Sequence, residues 1–360
     1  MKTNSTFSNL LAFLSAFSLI TSISIGQVSN SKELTEKINS YVNPLVKKNV
    51  FSGTIFIAHG DSIIFSKGYG LADRAHDITN NLNTVFKIGS MTKQFTATAI
   101  MQLVDQMAIT TDSKLSEFIP DYPNGDKITI HHLLTHTSGI SNYTKLADFG
   151  KFSLLPAKIE ELISHIKNLP LEFEPGTKFK YNDSGYLLLT YIIEKVSGIS
   201  YSEYLQKNIF DKLEMKNSGY LDSQIIKNLA SGYVYNSKLK SMVNADYFDT
   251  SVPQGAGGLY STVLDLYKWD RSFYKDEIIS KESKEKMFSF QTSDYGYGWG
   301  KELRKGGRVS IGHNGIINGF SSIIHRFVND NIVIIVLANI ENFEVNEVFD
   351  KIPAIFFNEE

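Results

Sequence analysis

The sequence contains no cysteine in 360 residues, and this absence removes several kinds of chemistry. Disulfide bonds, thiolate nucleophiles and cysteine-ligated zinc are all excluded. An excess of positive charge is also missing, because 36 lysines and arginines stand against 38 aspartates and glutamates. A net charge of −2 without a basic run argues against nucleic acid as a partner. The 42% hydrophobic content is that of a soluble globular protein with a large core.

A hydrophobic run long enough to span a membrane is missing as well. The most apolar N-terminal stretch, Leu10 to Ile20, is short and interrupted by serines. Lys2 precedes it, and small residues follow it up to Gly26. This pattern predicts a secretory signal peptide over residues 1–26 and a periplasmic or secreted protein. The alternative is an uncleaved N-terminal anchor, and only then would a membrane be a partner.

The predicted strands lie at both ends of the mature chain, residues 27–360. At the N-terminal end, a helix from Leu34 to Val46 precedes the strands Gly53–Ala58 and Ser62–Ser66, which a turn at His59–Asp61 joins. At the C-terminal end the predicted elements are Val309–Ile311, Phe320–Ile324, Ile332–Leu337 and the helix Val345–Phe357. This order indicates an α/β (α+β) fold with one sheet built from both chain ends.

The middle of the chain is predicted to be mostly helical, roughly over residues 100–250. Thr129 is placed to cap one helix, and Ser200 and Thr262 each open a capping-box pattern. Helices inserted between the two groups of strands predict an all-helical subdomain on the sheet domain. Neither an internal repeat nor a long linker divides residues 27–360.

The strongest chemical signal is the pair Ser90 and Lys93. Residues three apart lie on one face of a helix, and a helical run, Gln94–Leu103, follows them. Ser90 would then lie at a helix N-terminus, where free N–H groups favour a developing negative charge. A hydroxyl becomes a nucleophile when a neighbouring base takes its proton, and the amine of Lys93 can do so. The alternative is a capping serine followed by a solvated lysine.

Two later segments carry residues that could complete such a site. Tyr181 lies just before a predicted helix, and near Lys93 its phenolate would be stabilised and could shuttle a proton. The alternative is a structural role, in which the Tyr181 side chain anchors its loop to the core. On the strand-like segment after Val309, Gly315 would let the backbone approach a ligand, and the N–H of Ile316 could hold an oxyanion. By itself, a His-x-Gly pattern such as that of His313 is usually a turn.

Three further patterns allow a functional and a structural interpretation. His132 and His136 have the spacing of zinc ligands on a helix, but the glutamate of such sites is missing, which favours a structural role. Asn142 and Asn182 begin glycosylation sequons, which are common by chance. The aromatic segment 295–300 could stack on a ligand or form a tight turn, and we slightly favour ligand stacking.

Taken in order, Ser90-x-x-Lys93, Tyr181-x-Asp183 and His313-x-Gly315 resemble the motifs of the serine β-lactamase/penicillin-binding-protein superfamily. The closer resemblance is to the branch of class C β-lactamases, D-stereospecific serine peptidases and related esterases. The stretches that carry it further are Phe86–Gly89, Ile128–Ile140, Gly255–Thr262 and Tyr297–Gly300. The resemblance covers about Leu34 to Phe357 and implies a β-lactamase-like antiparallel sheet with flanking helices.

The resemblance also implies roles for individual residues. Ser90 would be acylated, Lys93 and Tyr181 would move protons, and the N–H groups of Ser90 and Ile316 would form the oxyanion hole. His313 would face the substrate where class C β-lactamases have a lysine. A histidine with an ordinary pKa is only partly charged at neutral pH, so β-lactam hydrolysis is expected to be weak.

Asp183 departs from the asparagine that is usual in this branch. A carboxylate near Lys93 would favour the ammonium and raise the pKa of the lysine. The alternative is that Asp183 turns away from the site or caps the helix beginning near Gly185.

These observations predict an exported serine hydrolase that acts through an acyl-enzyme without metal or organic cofactor. The expected substrate is a small amide or ester, above all a D-amino-acid peptide of cell-wall type. A carboxylesterase or a weak β-lactamase is the alternative within the same chemistry. An alternative of another class is a penicillin-binding sensor or wall-associated protein with little turnover.

Overall fold

The computed structural model describes residues 32–290, 293–341 and 345–359. The predicted signal peptide, residues 1–26, therefore lies outside the described residues. Helices α1 to α12 are 32–47, Thr92–Asp105, Leu115–Phe118, Ile130–Leu134, Phe149–Phe152, Ile159–Lys167, Asp183–Ser197, Tyr201–Leu205, Gln254–Gly257, Val263–Ser272, Lys281–Met287 and Val345–Phe357. Strands β1 to β14 are Gly53–His59, Ser62–Tyr69, Leu71–Asp73, Ile78–Thr79, Phe86–Lys87, Gly219–Tyr220, Tyr233–Asn236, Ser241–Asn244, Leu259–Ser261, Gly300–Leu303, Val309–Ile317, Phe320–Phe327, Ile332–Ala338 and Ile340–Glu341.

The main sheet has six strands in the order β10-β11-β12-β13-β1-β2, and all neighbouring pairs are antiparallel. The N-terminal strand β1 pairs with the C-terminal strand β13, so that Gly53 lies opposite Ala338 and His59 opposite Ile332. The predicted antiparallel sheet built from both chain ends is thus confirmed. The predicted strands are present and are longer by one to six residues.

The two faces of this sheet pack against different parts of the chain. Because side chains alternate along a strand, Ile55 and Ile57 pack in one apolar cluster with residues of α1 and α12. Phe56 and Ala58 belong to a larger cluster on the opposite face, which is formed mainly by helices of the middle of the chain. The site described below lies between the sheet and these helices.

The inserted region is not all helical, which corrects the prediction. Between β5 and β9 it contains helices α2 to α9, but also strand β6 and the hairpin of β7 and β8. Strand β7 pairs in parallel with β14 near the C-terminus, which ties the insertion back to the sheet domain. Strands were missed here because two- to four-residue strands give too little alternation to detect.

The predicted helix starts are largely confirmed. Thr129 accepts a hydrogen bond from the His132 amide, and Ser200 and Glu203 form a complete capping box. Thr262 also caps its helix, but the reciprocal half of the predicted box is absent. The carboxylate of Asp265 instead accepts from the Asn217 amide and the Ser218 hydroxyl. Within the described residues, no helix combines the length and hydropathy needed to cross a membrane.

Candidate active site

Ser90 and Lys93 lie together where the chain enters the central helix α2. A 3-10 turn over Gly89–Met91 leads directly into this helix, and the predicted one-turn spacing brings Lys93 Nζ to 3.1 Å from Ser90 Oγ. Helix α2 is buried along most of its length, and the Lys93 side chain is 0% exposed. The interpretation of Lys93 as a solvated surface lysine is therefore wrong.

The Lys93 ammonium has two further partners besides Ser90. It donates to Asp183 Oδ1 at 2.8 Å and to the Ala256 carbonyl at 2.8 Å. Three acceptors match the three N–H bonds of an ammonium, so the charge is fully hydrogen-bonded although it is buried. The sequence analysis missed Ala256, because a backbone acceptor leaves no signal in side-chain type.

Threonine hydroxyls position the segment that supplies the Ala256 carbonyl. Thr96 Oγ1 donates to the Gly255 carbonyl at 2.7 Å, and the Gly255 amide donates to Thr190 Oγ1 at 2.9 Å. A Cβ at residue 255 would lie 2.3 Å from Thr190 Oγ1, so only glycine fits there. The close fit around Gly255 holds helix α9 against the lysine.

Asp183 is the first residue of α7 and turns toward Lys93, not away from it. Its other oxygen, Oδ2, accepts from Asn142 Nδ2 at 3.1 Å and from Thr144 Oγ1 at 3.3 Å. The helix cap is the preceding residue, Asn182, whose side chain accepts from the Gly185 amide. The alternative in which Asp183 caps the helix is therefore wrong. Asn142 and Asn182 are both buried, and each uses its amide in these contacts.

Burial and pairing act in opposite directions on the Lys93–Asp183 pair. Burial disfavours the Lys93 ammonium, but the neighbouring Asp183 and Tyr181 outweigh it and raise the pKa of Lys93. Burial likewise favours neutral Asp183, but Lys93 and the Asn142 amide outweigh it and lower the pKa of that carboxyl. The pair is therefore charged on both sides at neutral pH, as was predicted for a carboxylate near Lys93.

Tyr181 lies beside this pair. Lys93 Nζ is 4.8 Å from the centroid of its ring, while its hydroxyl is shielded from solvent and makes no hydrogen bond within the described part of the chain. Burial raises the pKa of Tyr181, and Lys93 only partly offsets this effect. The expectation of a stabilised phenolate is therefore wrong for this state of the site. The ring of His136 packs against Tyr181 with centroids 4.4 Å apart.

His313 lies on β11 and is held in one tautomer. Its Nδ1 lies 2.5 Å from the Asn314 carbonyl, which can only accept, so Nδ1 carries the proton. Nε2 then accepts from the Tyr295 hydroxyl at 2.8 Å. Burial, together with the Lys93 charge, lowers the pKa of His313 to about 4. The expectation that His313 is partly charged at neutral pH is therefore wrong.

Gly315 and Ile316 lie further along β11, next to the nucleophile segment. A Cβ at residue 315 would be 2.0 Å from the Ile88 carbonyl, and one at Gly89 would be 2.9 Å from the Ile316 amide nitrogen. Gly315 thus permits close packing of β11 against Ile88, and the approach to a ligand that the sequence predicts for it stays a prediction. The same packing brings Ser90 and Ile316 to the wall of one cavity.

Two cavities lie at this centre. The first, which we call the Ser90 cavity, has a volume of about 700 Å³ and is lined by Ser90, Asp183, Ile316 and residues of segments 143–154, 246–257 and 317–318. The second, the Tyr295 cavity, has about 470 Å³ and is lined by Tyr181, Tyr295, His313 and residues of segments 300–314, 323–325 and 346–350. Ser90 opens only into the first of them.

The remaining predicted patterns have structural partners. His132 and His136 each accept a backbone amide at Nδ1, from Thr129 and Asn182, in line with a structural role. Among residues 32–290, 293–341 and 345–359, no cluster of three or more His, Asp or Glu could hold a metal ion. In the aromatic segment, Trp299 is buried against Phe273 and Phe288, so ligand stacking is wrong for this residue.

Comparison with known proteins agrees with this arrangement. A model of the Beta-lactamase family matches residues 38–354, and the chain belongs to this family. A putative penicillin-binding protein PbpX from Bacillus subtilis is 33% identical over 325 residues, which cover 90% of this chain and 79% of that protein. A teichoic acid D-alanine hydrolase from Staphylococcus aureus is 28% identical over 319 residues, which cover 88% of this chain and 76% of that protein.

A solved structure extends the comparison to the whole fold. The octameric penicillin-binding protein homologue from Pyrococcus abyssi has a TM-score of 0.79 and 30% identity, covering 90% of this chain and 77% of its own. Family and fold together identify the class of this protein. It is a serine hydrolase with a β-lactamase-like fold, related to penicillin-binding proteins.

Proposed function

We propose that this protein is an exported hydrolase in which Ser90 is acylated by a small amide or ester of a D-amino acid. The observation that carries the proposal is the 3.1 Å contact of Lys93 Nζ with Ser90 Oγ at the wall of an open cavity. A buried amine in contact with a serine is the arrangement that nucleophilic catalysis requires. Serine, amine and phenol suffice for this reaction, so we propose no metal or organic cofactor. Export rests on the N-terminal sequence pattern.

The reaction has two steps, acylation of Ser90 and hydrolysis of the acyl-enzyme. Neutral Lys93 takes the Ser90 proton while Oγ bonds to the substrate carbonyl carbon, and the N–H groups of Ser90 and Ile316 receive the oxyanion. The carbonyl then reforms, the C–N or C–O bond breaks, and the leaving group takes the proton from Lys93. Water then attacks the acyl-enzyme carbonyl while neutral Lys93 takes a proton from it. The bond to Ser90 Oγ breaks, Oγ takes the proton from Lys93, and the acid is released. Tyr181, beside Lys93, is placed to relay the proton to the leaving group.

The D-amino-acid preference rests on the relatives. The Staphylococcus aureus relative is named as a teichoic acid D-alanine hydrolase, and such a hydrolysis transfers a D-alanyl acyl group to water. His313 lines the neighbouring Tyr295 cavity and is neutral, so it adds no positive charge that would bind the carboxylate of a penicillin. A weak β-lactamase is therefore the less favoured alternative, and a simple carboxylesterase fits the site if acyl selectivity is low.

A second candidate is a penicillin-binding sensor with little turnover. The observation that favours it is the Lys93–Asp183 ion pair, because a raised lysine pKa leaves few molecules with the free amine that both steps need. An acyl-enzyme that forms slowly and persists would result.

Labelling of the serine tests the proposal and separates the two candidates. The protein is incubated with a fluorescent fluorophosphonate and a fluorescent penicillin, and intact mass locates the adduct. Ser90→Ala is expected to abolish labelling, whereas Ser153→Ala, which changes the other serine lining the Ser90 cavity, is expected to retain it. Penicillin label that is released supports a hydrolase, and label that persists supports the sensor. Labelling that survives in a folded Ser90→Ala protein contradicts both.

A further inference from the structure

His136 contacts the segment that carries Tyr181 on both sides of that tyrosine. Its backbone carbonyl accepts from the Lys180 amide at 2.9 Å. Its ring nitrogen Nδ1 accepts from the Asn182 amide at 3.1 Å. One residue therefore holds the backbone immediately before Tyr181 and immediately after it. We call these two hydrogen bonds, together with the contact between the two rings, the His136 clamp.

The ring contact fixes the face of the tyrosine. The His136 ring packs on the Tyr181 ring with centroids 4.4 Å apart, and Lys93 Nζ lies 4.8 Å from the centroid of the same tyrosine ring. The Nε2 atom of His136 has no hydrogen-bond partner within the described part of the chain. Packing holds this end of the ring instead, because three further aromatic rings have their centroids within 6.0 Å of it, those of Phe179, Tyr186 and Tyr295.

The backbone and the charge state of His136 suit this clamp. Its φ of 58° lies in the left-handed region, which costs a side-chain-bearing residue energy and is concentrated at functional sites. The residue is only 1% exposed, and burial lowers the pKa of its ring well below the ordinary value. The ring is thus neutral at pH 7, with its proton on Nε2 and Nδ1 left to accept. The hydrogen bond from the Asn182 amide therefore persists through the neutral and alkaline range in which Lys93 loses its proton.

We propose that His136 is a positioning residue, which holds the Tyr181 hydroxyl where it passes a proton to the leaving group. This inference rests on the proposed function, of which the proton relay by Tyr181 is a part. The Tyr181 hydroxyl has no hydrogen bond of its own among the described residues, so its place depends on how its ring and backbone are held. A displacement of about 1 Å is enough to slow such a transfer strongly. The proton goes from Lys93 through Tyr181 to the leaving nitrogen as the C–N bond breaks, and His136 neither gains nor loses one.

Two substrates with the same acyl group and different leaving groups test this role. D-alanine p-nitroanilide needs a proton on its leaving nitrogen, whereas D-alanine p-nitrophenyl ester releases p-nitrophenolate without one. His136→Phe keeps a ring but removes the acceptor. It is expected to lower kcat/KM roughly tenfold to hundredfold for the anilide and less than about threefold for the ester, after subtraction of spontaneous hydrolysis. His136→Asn keeps an acceptor near the position of Nδ1, and its loss for the anilide is expected to be only about two- to fivefold.

A matched histidine and a double variant show whether the effect passes through Tyr181. The Nδ1 atom of His132 also accepts a backbone amide, that of Thr129, which lies far along the chain from Tyr181. His132→Phe is therefore expected to leave both substrates near normal. In a Tyr181→Phe protein the relay is already lost, so adding His136→Phe is expected to lower the anilide rate less than about twofold further.

The outcomes separate a positioning role from a merely structural one. Equal losses for the two substrates in His136→Phe, or losses that multiply with those of Tyr181→Phe, overturn the proposal. If circular dichroism shows that His136→Phe is unfolded, His136→Asn takes its place in the same cycle, and an unchanged ratio of anilide to ester rates then overturns it. The proposed function fails separately, if a fluorophosphonate does not label Ser90 in the unchanged protein.

Discussion

The Ser90 cavity and the Tyr295 cavity lie side by side, but they use their charged groups in opposite ways. In the Tyr295 cavity, Arg304 pairs with Glu302 at 2.6 Å and with Asp350 at 2.5 Å, and it donates to Ser310 at 3.2 Å. Lys301 there pairs with Asp294 at 3.2 Å. Side chains that form ion pairs with one another connect the strands and helices that carry them. Few of their charged atoms are then free to bind a ligand.

The Ser90 cavity is lined by fewer charged groups, and not all of them are paired with another group of the protein. Ser90 is only half-buried and has a buried cation beside it, and the carboxylate of Asp246 has no partner within the described residues. The catalytic groups therefore lie in the cavity whose polar groups are not all paired with one another, and not in the cavity with the larger number of charged residues. Asp183 lines the Ser90 cavity, His313 lines the Tyr295 cavity, and the buried Lys93 contacts both Ser90 and Asp183. Changes at these residues test the contrast.

The largest effect is expected from removal of the Lys93 amine. Lys93→Met keeps most of the aliphatic stem but removes the base, so the rate of Ser90 acylation is expected to fall roughly 10²- to 10⁴-fold. Stopped-flow labelling with a fluorophosphonate measures this rate. Lys87→Met is the control, because Lys87 is a partly buried lysine three residues before Ser90, whereas the hydrogen bond to Ser90 Oγ comes from Lys93. Its labelling rate is expected to be near normal.

Loss of the lysine also leaves Asp183 without its cation, which could unfold the protein. The double variant Lys93→Met/Asp183→Asn removes both partners, and such a change costs less stability than the loss of one. If the double variant is folded by circular dichroism and still unreactive, the loss belongs to catalysis. Near-normal labelling in either variant would contradict a proton-transfer role for Lys93.

The sequence predicted the sheet well because its signals are strong and local. Ile332–Leu337 is a continuous apolar run, and the observed strand is longer by one residue. The C-terminal helix has its predicted bounds, Val345–Phe357. The hairpin of β7 and β8 was missed because its strands are four residues long and only partly buried, so that they lack clear alternation.

The candidate site was predictable in its members but not in its electrostatics. The one-turn spacing of Ser90 and Lys93 follows from helix geometry, and the structure shows the contact. The charge states of Tyr181 and His313 were predicted wrongly, because both depend on burial, which short motifs do not reveal. Asn142 and Thr144 were seen only as part of a sequon, since their contact with Asp183 joins distant segments.

The next largest effect is expected from Asp183→Asn, on the pH dependence of turnover. Asp183 helps to raise the pKa of Lys93, and the neutral amine is the form that takes the Ser90 proton. Activity of the unchanged protein is therefore expected to rise toward alkaline pH. Without the carboxylate, the pKa of Lys93 is lower, so the acid limb of kcat/KM moves to lower pH. The measurement is a pH–rate profile on one neutral p-nitrophenyl ester.

Two controls make this profile decisive. Glu36→Gln removes one negative charge on the surface and is expected to leave the acid limb where it was. Thermal unfolding of Asp183→Asn checks that the pH shift is measured on a folded protein. An acid limb that does not move in the folded variant would contradict the electrostatic coupling of Asp183 to Lys93.

The smallest effect on turnover is expected at His313, which lines the Tyr295 cavity and is neutral. His313→Gln can still accept from Tyr295, so kcat/KM for a neutral ester at pH 7.5 is expected to change less than about fivefold. The stability of the fold is expected to respond instead. Because the folded pKa of about 4 is below that of the unfolded chain, near 6.5, acid favours the unfolded state in this interval. The contribution of His313 to the free energy of unfolding is then fully present above pH 6.5. It falls by up to about 3 kcal/mol as the pH decreases toward 4.

Urea unfolding at pH 7.5 and pH 4.5 measures this contribution. The free energy of unfolding of the unchanged protein is expected to fall between these two values, and that of His313→Gln is expected to fall less. It does not become independent of pH, because burial also lowers the pKa of His136 and His325 well below the ordinary value. A histidine resonance of His313 that titrates near pH 6.5 by NMR would contradict the neutral state. It would restore a positive charge at the Tyr295 cavity near neutral pH, and with it a binding group for substrate carboxylates.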